Sequence, residues 1–162
     1  MNTLCIKVNK MILPIKQIIL EAIQNNTKTI TVYGESHFHR DEVDSIRQKV
    51  IKSKPDTLIL ELKEDIPYYK KLLPDTRIFH LEKDLDQNIY KQYKGDYKKQ
   101  FEIREALMLK NIKTFTNQNS KNIVIVVGDT HLRTIQTPEL GKASPFYKYN
   151  FNIIRSKYPE IN

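Results

Sequence analysis

The chain has 162 residues, 40% of them apolar and 28% charged, which is the length and composition of one globular domain rather than of a disordered segment. A single cysteine, Cys5, excludes an internal disulfide and any cysteine-rich zinc site. Lys plus Arg outnumber Asp plus Glu by 27 to 19, a formal charge of +8 that favours anionic partners, although the excess is scattered lysine rather than an arginine-rich block.

No run approaches the ~18 to 20 apolar residues of a membrane span. The most apolar early stretch, residues 11–23, is broken by Lys16, Gln17 and Glu21 and is followed by no small-residue cleavage site, so a secretory signal is not expected. The expectation is a soluble, cytoplasmic protein, a single domain over residues 1–162.

In chain order, Ile12, Ile15, Ile18, Ile19, Ala22 and Ile23 recur at helical spacing and predict a helix over about 14–25. Residues 29–33, β-branched and aromatic, predict a strand ending at Gly34. A helix opening near Asp41 carries Val43, Ile46, Val50 and Ile51 on one face and is closed by Pro55. The continuous apolar run Leu58-Ile59-Leu60 suits a strand covered on both faces, and strand, helix and strand together make a βαβ unit. Residues 77–81 suggest a short strand, and Tyr90, Tyr93 and Tyr97 interleave with lysines at helical spacing. A long helix is predicted over 101–116, with Phe101, Met108, Ile112 and Phe115 as its stripe. Residues 123–127 are the clearest buried strand, and alternation over 147–153 predicts a last one. The fold class is therefore α/β: a compact, mixed, mostly parallel central sheet flanked by helices.

Two of these strands end alike. Ile30-Thr31-Val32-Tyr33 runs into Gly34-Glu35-Ser36-His37-Phe38, and Ile125-Val126-Val127 runs into Gly128-Asp129-Thr130-His131-Leu132. Both read strand, glycine, acid, hydroxyl, histidine, apolar residue. Ligands in open α/β sheets bind beyond the carboxyl ends of strands, where glycine permits a sharp turn and close backbone approach. If the two strands are neighbours, His37 and His131 converge with Glu35 and Asp129 beside them. Two imidazoles with carboxylates suit a divalent zinc, manganese, iron or cobalt ion, or a metal-free general base. The plainer reading is that Glu35 or Asp129 caps a following helix.

Glu61 also follows an apolar strand, with Glu64 close behind. Arg104 lies on or beside the stripe of Phe101 and Met108, where a charge aimed at the core needs a carboxylate such as Glu61. Otherwise Glu61 is a surface acid and Arg104 a snorkelling side chain. His39 is a candidate to reach the same site from the loop; His80 is given no role.

The segments Val32-Tyr33-Gly34-Glu35-Ser36-His37, Lys54-Pro55-Asp56-Thr57-Leu58-Ile59-Leu60-Glu61-Leu62, Arg104-Glu105 with Met108, and Val126-Val127-Gly128-Asp129-Thr130-His131-Leu132 occur in that order. Together, over about residues 28–136, they resemble the TraB/PrgY and Tiki families of the erythromycin-esterase/ChaN-like superfamily. The resemblance implies a compact α/β domain whose site comprises His37, Glu61, Arg104 and His131, with Glu35 matching the acid of the esterase and ChaN-like branches. Tiki-like members are metal-dependent proteases, esterase members open a macrolide lactone, and ChaN-like members bind haem. Asp129-Thr130 departs from the small residues usual there.

The expectation is a metal-dependent hydrolase of an ester or amide, acting on a small-molecule or peptide substrate. Its catalytic residues would be Glu35, His37, Glu61, Arg104 and His131. His37, His131 and Glu35 would hold the metal, with Gly34, Gly128 and Asp129 as further cofactor-binding positions. The alternatives are a non-catalytic haem- or metal-binding protein and a nucleic-acid-associated protein using lysines and tyrosines of 90–99 and 146–157; a homodimer is compatible with each.

Overall fold

The computed structural model describes residues 28–85, 91–116, 119–134 and 142–158. The helix expected over 14–25, Tyr90 and Cys5 lie outside the described residues. Within them run β1 (Thr29–Glu35), α1 (Arg40–Ser53), β2 (Thr57–Leu60), α2 (Ile66–Leu72), β3 (Arg77–His80), α3 (Tyr97–Thr116), β4 (Asn122–Gly128) and β5 (Asn152–Ile154).

The five strands form one sheet in the order β3-β2-β4-β1-β5, and every pairing is parallel. This is the α/β architecture expected, with helices on both faces. Alternate side chains explain the layering. Val32, Ile59, Ile123, Ile125 and Val127 face Met108, Ile112 and Phe115 of α3. Leu58, Leu60, Val124 and Val126 face Ile46 and Val50 of α1 and Tyr69 of α2. Covered on both sides, β4 is buried from Ile123 to Gly128, which is why its sequence is an unbroken apolar run. Each such side chain contributes roughly 1.5–3 kcal/mol of burial.

The βαβ unit has its expected elements, but β1 and β2 do not pair; β4 lies between them. Helix α1 closes at Lys54, which turns into the left-handed region (φ 45°) just before Pro55, a residue that disfavours right-handed helix in its predecessor. Helix α3 starts one turn earlier than predicted, at Tyr97. Asp96 accepts from the Lys99 backbone N–H at 2.9 Å and fixes that start. The tyrosine–lysine stripe is not one continuous helix, because residues 93–95 form a turn through Gly95 (φ 91°). Lys91, Lys94 and Lys98 are exposed and Lys99 is half-buried; Tyr93 is half-buried and Tyr97 is 66% exposed.

The last predicted strand is corrected. Residues Pro145–Lys148 form a 3-10 turn, capped by the Ser144 hydroxyl accepting from the Phe146 N–H at 3.2 Å, and only Asn152–Ile154 pairs with β1. Period-two alternation over 147–153 was met by a turn because Phe146 drops fully into the core and Tyr147 donates its hydroxyl to the Leu132 carbonyl at 2.9 Å.

Candidate functional site

The site is built at the carboxyl edge of the sheet. Because β1 and β4 pair in parallel, Glu35 lies opposite Gly128, and the two motifs leave the sheet side by side. Strand β2 flanks β4 on its other side, and the Glu61 N–H continues the ladder to the Val126 carbonyl at 3.0 Å. Three strand ends therefore meet at one edge, as the repeated motif predicted.

At the end of β1, a turn closed by the His39 N–H on the Ser36 carbonyl (3.0 Å) carries His37. Its Nδ1 lies 2.9 Å from Glu35 Oε1. The Glu35 side chain is buried, whereas that of His37 is 28% exposed, so the imidazole stands between a buried carboxylate and solvent. At the end of β4, a 3-10 turn (Asp129–Leu132) carries His131, buried with its Nδ1 3.3 Å from Glu105 and its Nε2 3.5 Å from Glu61. Phe101 covers that ring at 4.8 Å between centroids.

Glu61 is the hub. One oxygen accepts the Gly128 N–H at 2.6 Å; the other accepts Arg104 Nη2 at 2.7 Å and faces His131. Arg104 also donates through Nε to Glu82. The guanidinium thus reaches two carboxylates from different strand ends. Glu82 is delivered by the turn after β3, whose Leu81 and Lys83 carbonyls both accept from the Asn111 amide of α3 at 2.9 Å.

The electrostatics follow from this pairing. Burial pushes the Glu61 carboxyl up, but the imidazole of His131, the guanidinium of Arg104 and the Gly128 N–H outweigh it and hold the group down at about 2. Burial works against the charge on His131, yet Glu105 and Glu61 on its two sides raise it above its ordinary value. The charges agree with that direction. The three carboxylates Glu61, Glu82 and Glu105 face the two guanidinium groups of Arg104 and Arg133, an excess that favours a proton on His131.

The glycines act through space rather than through unusual backbone angles; Gly128 has φ −55°. A Cβ there would meet His37 Nε2 at 3.0 Å and Glu61 Oε2 at 3.3 Å, so the missing side chain leaves the room in which histidine and carboxylate meet. A Cβ on Gly34 would collide with Asp129 and Leu132.

Glu35, His37, Glu61, Arg104, His131 and Gly128 thus come together, and Arg104 pairs with Glu61 as expected. Asp129, expected among the cofactor-binding positions, is engaged elsewhere. Its carboxylate takes Arg155 Nε at 2.8 Å and Nη2 at 2.5 Å and the Ser156 N–H at 2.8 Å, tying the chain after β5 to the end of β4. Its partners lie after β5 and not at the start of a helix, so it is not the helix cap of the plainer reading. Gly34 packs against that acid. His39 is exposed and stacks on Tyr158 at 4.0 Å, and Glu64 is exposed. His80, given no role, places Nε2 3.0 Å from the Glu61 carbonyl.

The sequence reading missed Glu82, Glu105, Arg133 and Glu42. Glu82 directly follows the strand predicted over 77–81 as Glu61 follows Leu58-Ile59-Leu60, so the rule that found one would have found the other. Glu105 sits four residues after Phe101 on the apolar stripe, a signal equal to that of Arg104. Nothing local marks Arg133. Buried Glu42 accepts the Ser36 and Lys157 N–H groups at 2.9 and 2.6 Å and the Ser156 hydroxyl at 2.6 Å; it looked like an ordinary first-turn acid of α1.

Of the three expected ligands, Glu35 does not stand beside His37 but contacts its Nδ1, as Glu105 does at His131, a backing carboxylate that metal-binding and metal-free histidines share. Among the described residues no group of three or more His, Cys, Asp and Glu side chains is arranged to hold a metal. Among the same residues no helix is long and apolar enough to cross a membrane.

Comparison with protein-family models, with curated proteins and with solved structures returned no match.

Proposed function

We propose that the protein hydrolyses an ester or amide bond, with His37 as general base. The observation that carries this reading is the meeting of both Gly-x-x-His histidines with Glu61 and Arg104 at adjacent strand ends, with a glutamate on each histidine's Nδ1. Glu35 fixes the His37 tautomer so that Nε2 takes a proton from a water, whose oxygen attacks the substrate carbonyl. Arg104 and the cationic His131 stabilise the negative charge that develops on the carbonyl oxygen. The intermediate collapses as the leaving group takes the proton back from His37. The motif resemblance to the erythromycin-esterase/ChaN-like superfamily, which contains hydrolases, supports the same class. No step is assigned to a metal.

The test is release of nitrophenol or nitroaniline from a series of activated esters and anilides. The parent is expected to exceed His37→Gln by about 10²- to 10⁴-fold, the usual worth of a positioned general base. Absence of any turnover across the series, with and without added manganese, cobalt, zinc or iron, would sink the proposal. One observation favours a second reading: Tyr97 is exposed beside Lys94 and Lys98, a surface suited to an anionic polymer. Steeply salt-dependent binding of random oligonucleotides would support it.

A further inference from the structure

The two motif histidines have matching contacts from glutamates of different origin. Glu35 ends the strand that leads into the turn of His37, two residues before it, whereas Glu105 reaches His131 from α3. A carboxylate brought in from another element has to be held, and Arg133 holds it. Its Nη2 meets Glu105 Oε2 at 3.2 Å and its Nη1 meets Oε1, while Nε donates to the Lys142 carbonyl at 2.9 Å and Nη1 to that of Thr130 at 3.3 Å. The side chains of Arg133, Glu105 and His131 are only 2%, 5% and 3% exposed.

A buried ion pair of this kind adds little to stability that well-packed apolar residues of the same volume would not. What it does supply is direction. The ring of His131 is gripped at Nδ1 by Glu105, faces Glu61 through Nε2 and is covered by Phe101, whose ring also lies 5.4 Å from the Arg133 guanidinium carbon.

We propose that Glu105, locked by Arg133, is the positioning residue that keeps Nδ1 of His131 turned away from the site and its Nε2 edge presented to Glu61 and the substrate. The consequence for turnover rests on the hydrolase reading; the orientation itself does not, and is measured without substrate.

The experiment is nitrogen–proton NMR of the imidazole groups in the full chain. The parent is expected to show a downfield, slowly exchanging proton on Nδ1 of His131, assigned by its loss in His131→Gln. The double variant Glu105→Leu/Arg133→Met removes the pair together, so the fold should survive with a melting temperature near the parent's. That variant should nevertheless lose the Nδ1 proton signal, and where turnover is measurable its kcat should fall at least about tenfold with KM unmoved. If the double variant does not fold, Glu105→Gln replaces it, and its Nδ1 proton should move upfield and exchange faster. Persistence of the parent signal in either variant overturns the proposal, as does a parent whose protected proton is on Nε2 alone. A parent that shows the signal but hydrolyses nothing refutes the hydrolase reading and leaves the positioning standing.

Discussion

Replacing Arg104 by alanine removes two ion pairs at once, to Glu61 and to Glu82, and leaves one of those carboxylates deep in the fold. Removing one partner of a fully buried pair costs roughly 3–5 kcal/mol, because the other charge stays behind without compensation. Two features of this site reduce that figure. Glu61 keeps the Gly128 N–H and His131, and Arg104 is itself 21% exposed, so water can enter the space it vacates. The expected loss is about 2–3 kcal/mol, or roughly 5–10 °C in melting temperature for a chain of this size. Arg104→Lys keeps the charge but cannot reach both carboxylates with a planar fork, and should cost about 1 kcal/mol. The assay is calorimetric melting at neutral pH, with hydrolysis measured on the same preparations. Lysine should spare most of the stability and little of the turnover. Should Arg104→Ala melt with the parent, the guanidinium is not bridging Glu61 and Glu82, and the hub described above is wrong.

Three further outcomes are expected. Gly34→Ala forces a Cβ into Asp129, which Arg155 and the Ser156 N–H hold in place, so it should lower the melting temperature by more than Gly128→Ala; the latter meets side-chain ends of His37 and Glu61 and should chiefly cost activity. Equal melting curves for the two would refute this. In pH-dependent melting, the lowered Glu61 carboxyl contributes stability that is complete above about 4.5 and lost toward about 2, whereas the raised His131 contributes stability that is complete below 6.5 and lost as pH rises through its higher folded value. The chain should therefore be most stable between those limits, and His131→Gln should flatten the alkaline limb. Finally, Asp129→Asn weakens the ion pair to Arg155 and should raise amide exchange in β5 before it alters β2 or β3, as read by hydrogen exchange.

Local sequence determined β1, α1, β2, β3, α3 and β4 because their causes are local, whereas α2 and the turn at Pro145–Lys148 were not read from it. An unbroken β-branched apolar run suits a strand covered twice, as 123–127 is; a proline ends a helix, as Pro55 does; glycine, acid and histidine after a strand mark the sheet's carboxyl edge. Arg104 was found the same way, as a charge on an apolar stripe that had to meet a carboxylate. Tertiary structure decided which of the candidate acids serve the site. Asp129 and Glu35 occupy the same place in the two motifs, yet Asp129 is taken by Arg155 of the chain after β5, while Glu35 keeps its histidine. Glu82, Glu105 and Arg133 enter from a turn, a helix and a loop brought together only by packing. The order β3-β2-β4-β1-β5 was equally beyond reach, because which strands become neighbours is settled by contacts between residues far apart in sequence, and it is that order which sets β4 between β1 and β2 and puts both histidines beside Glu61.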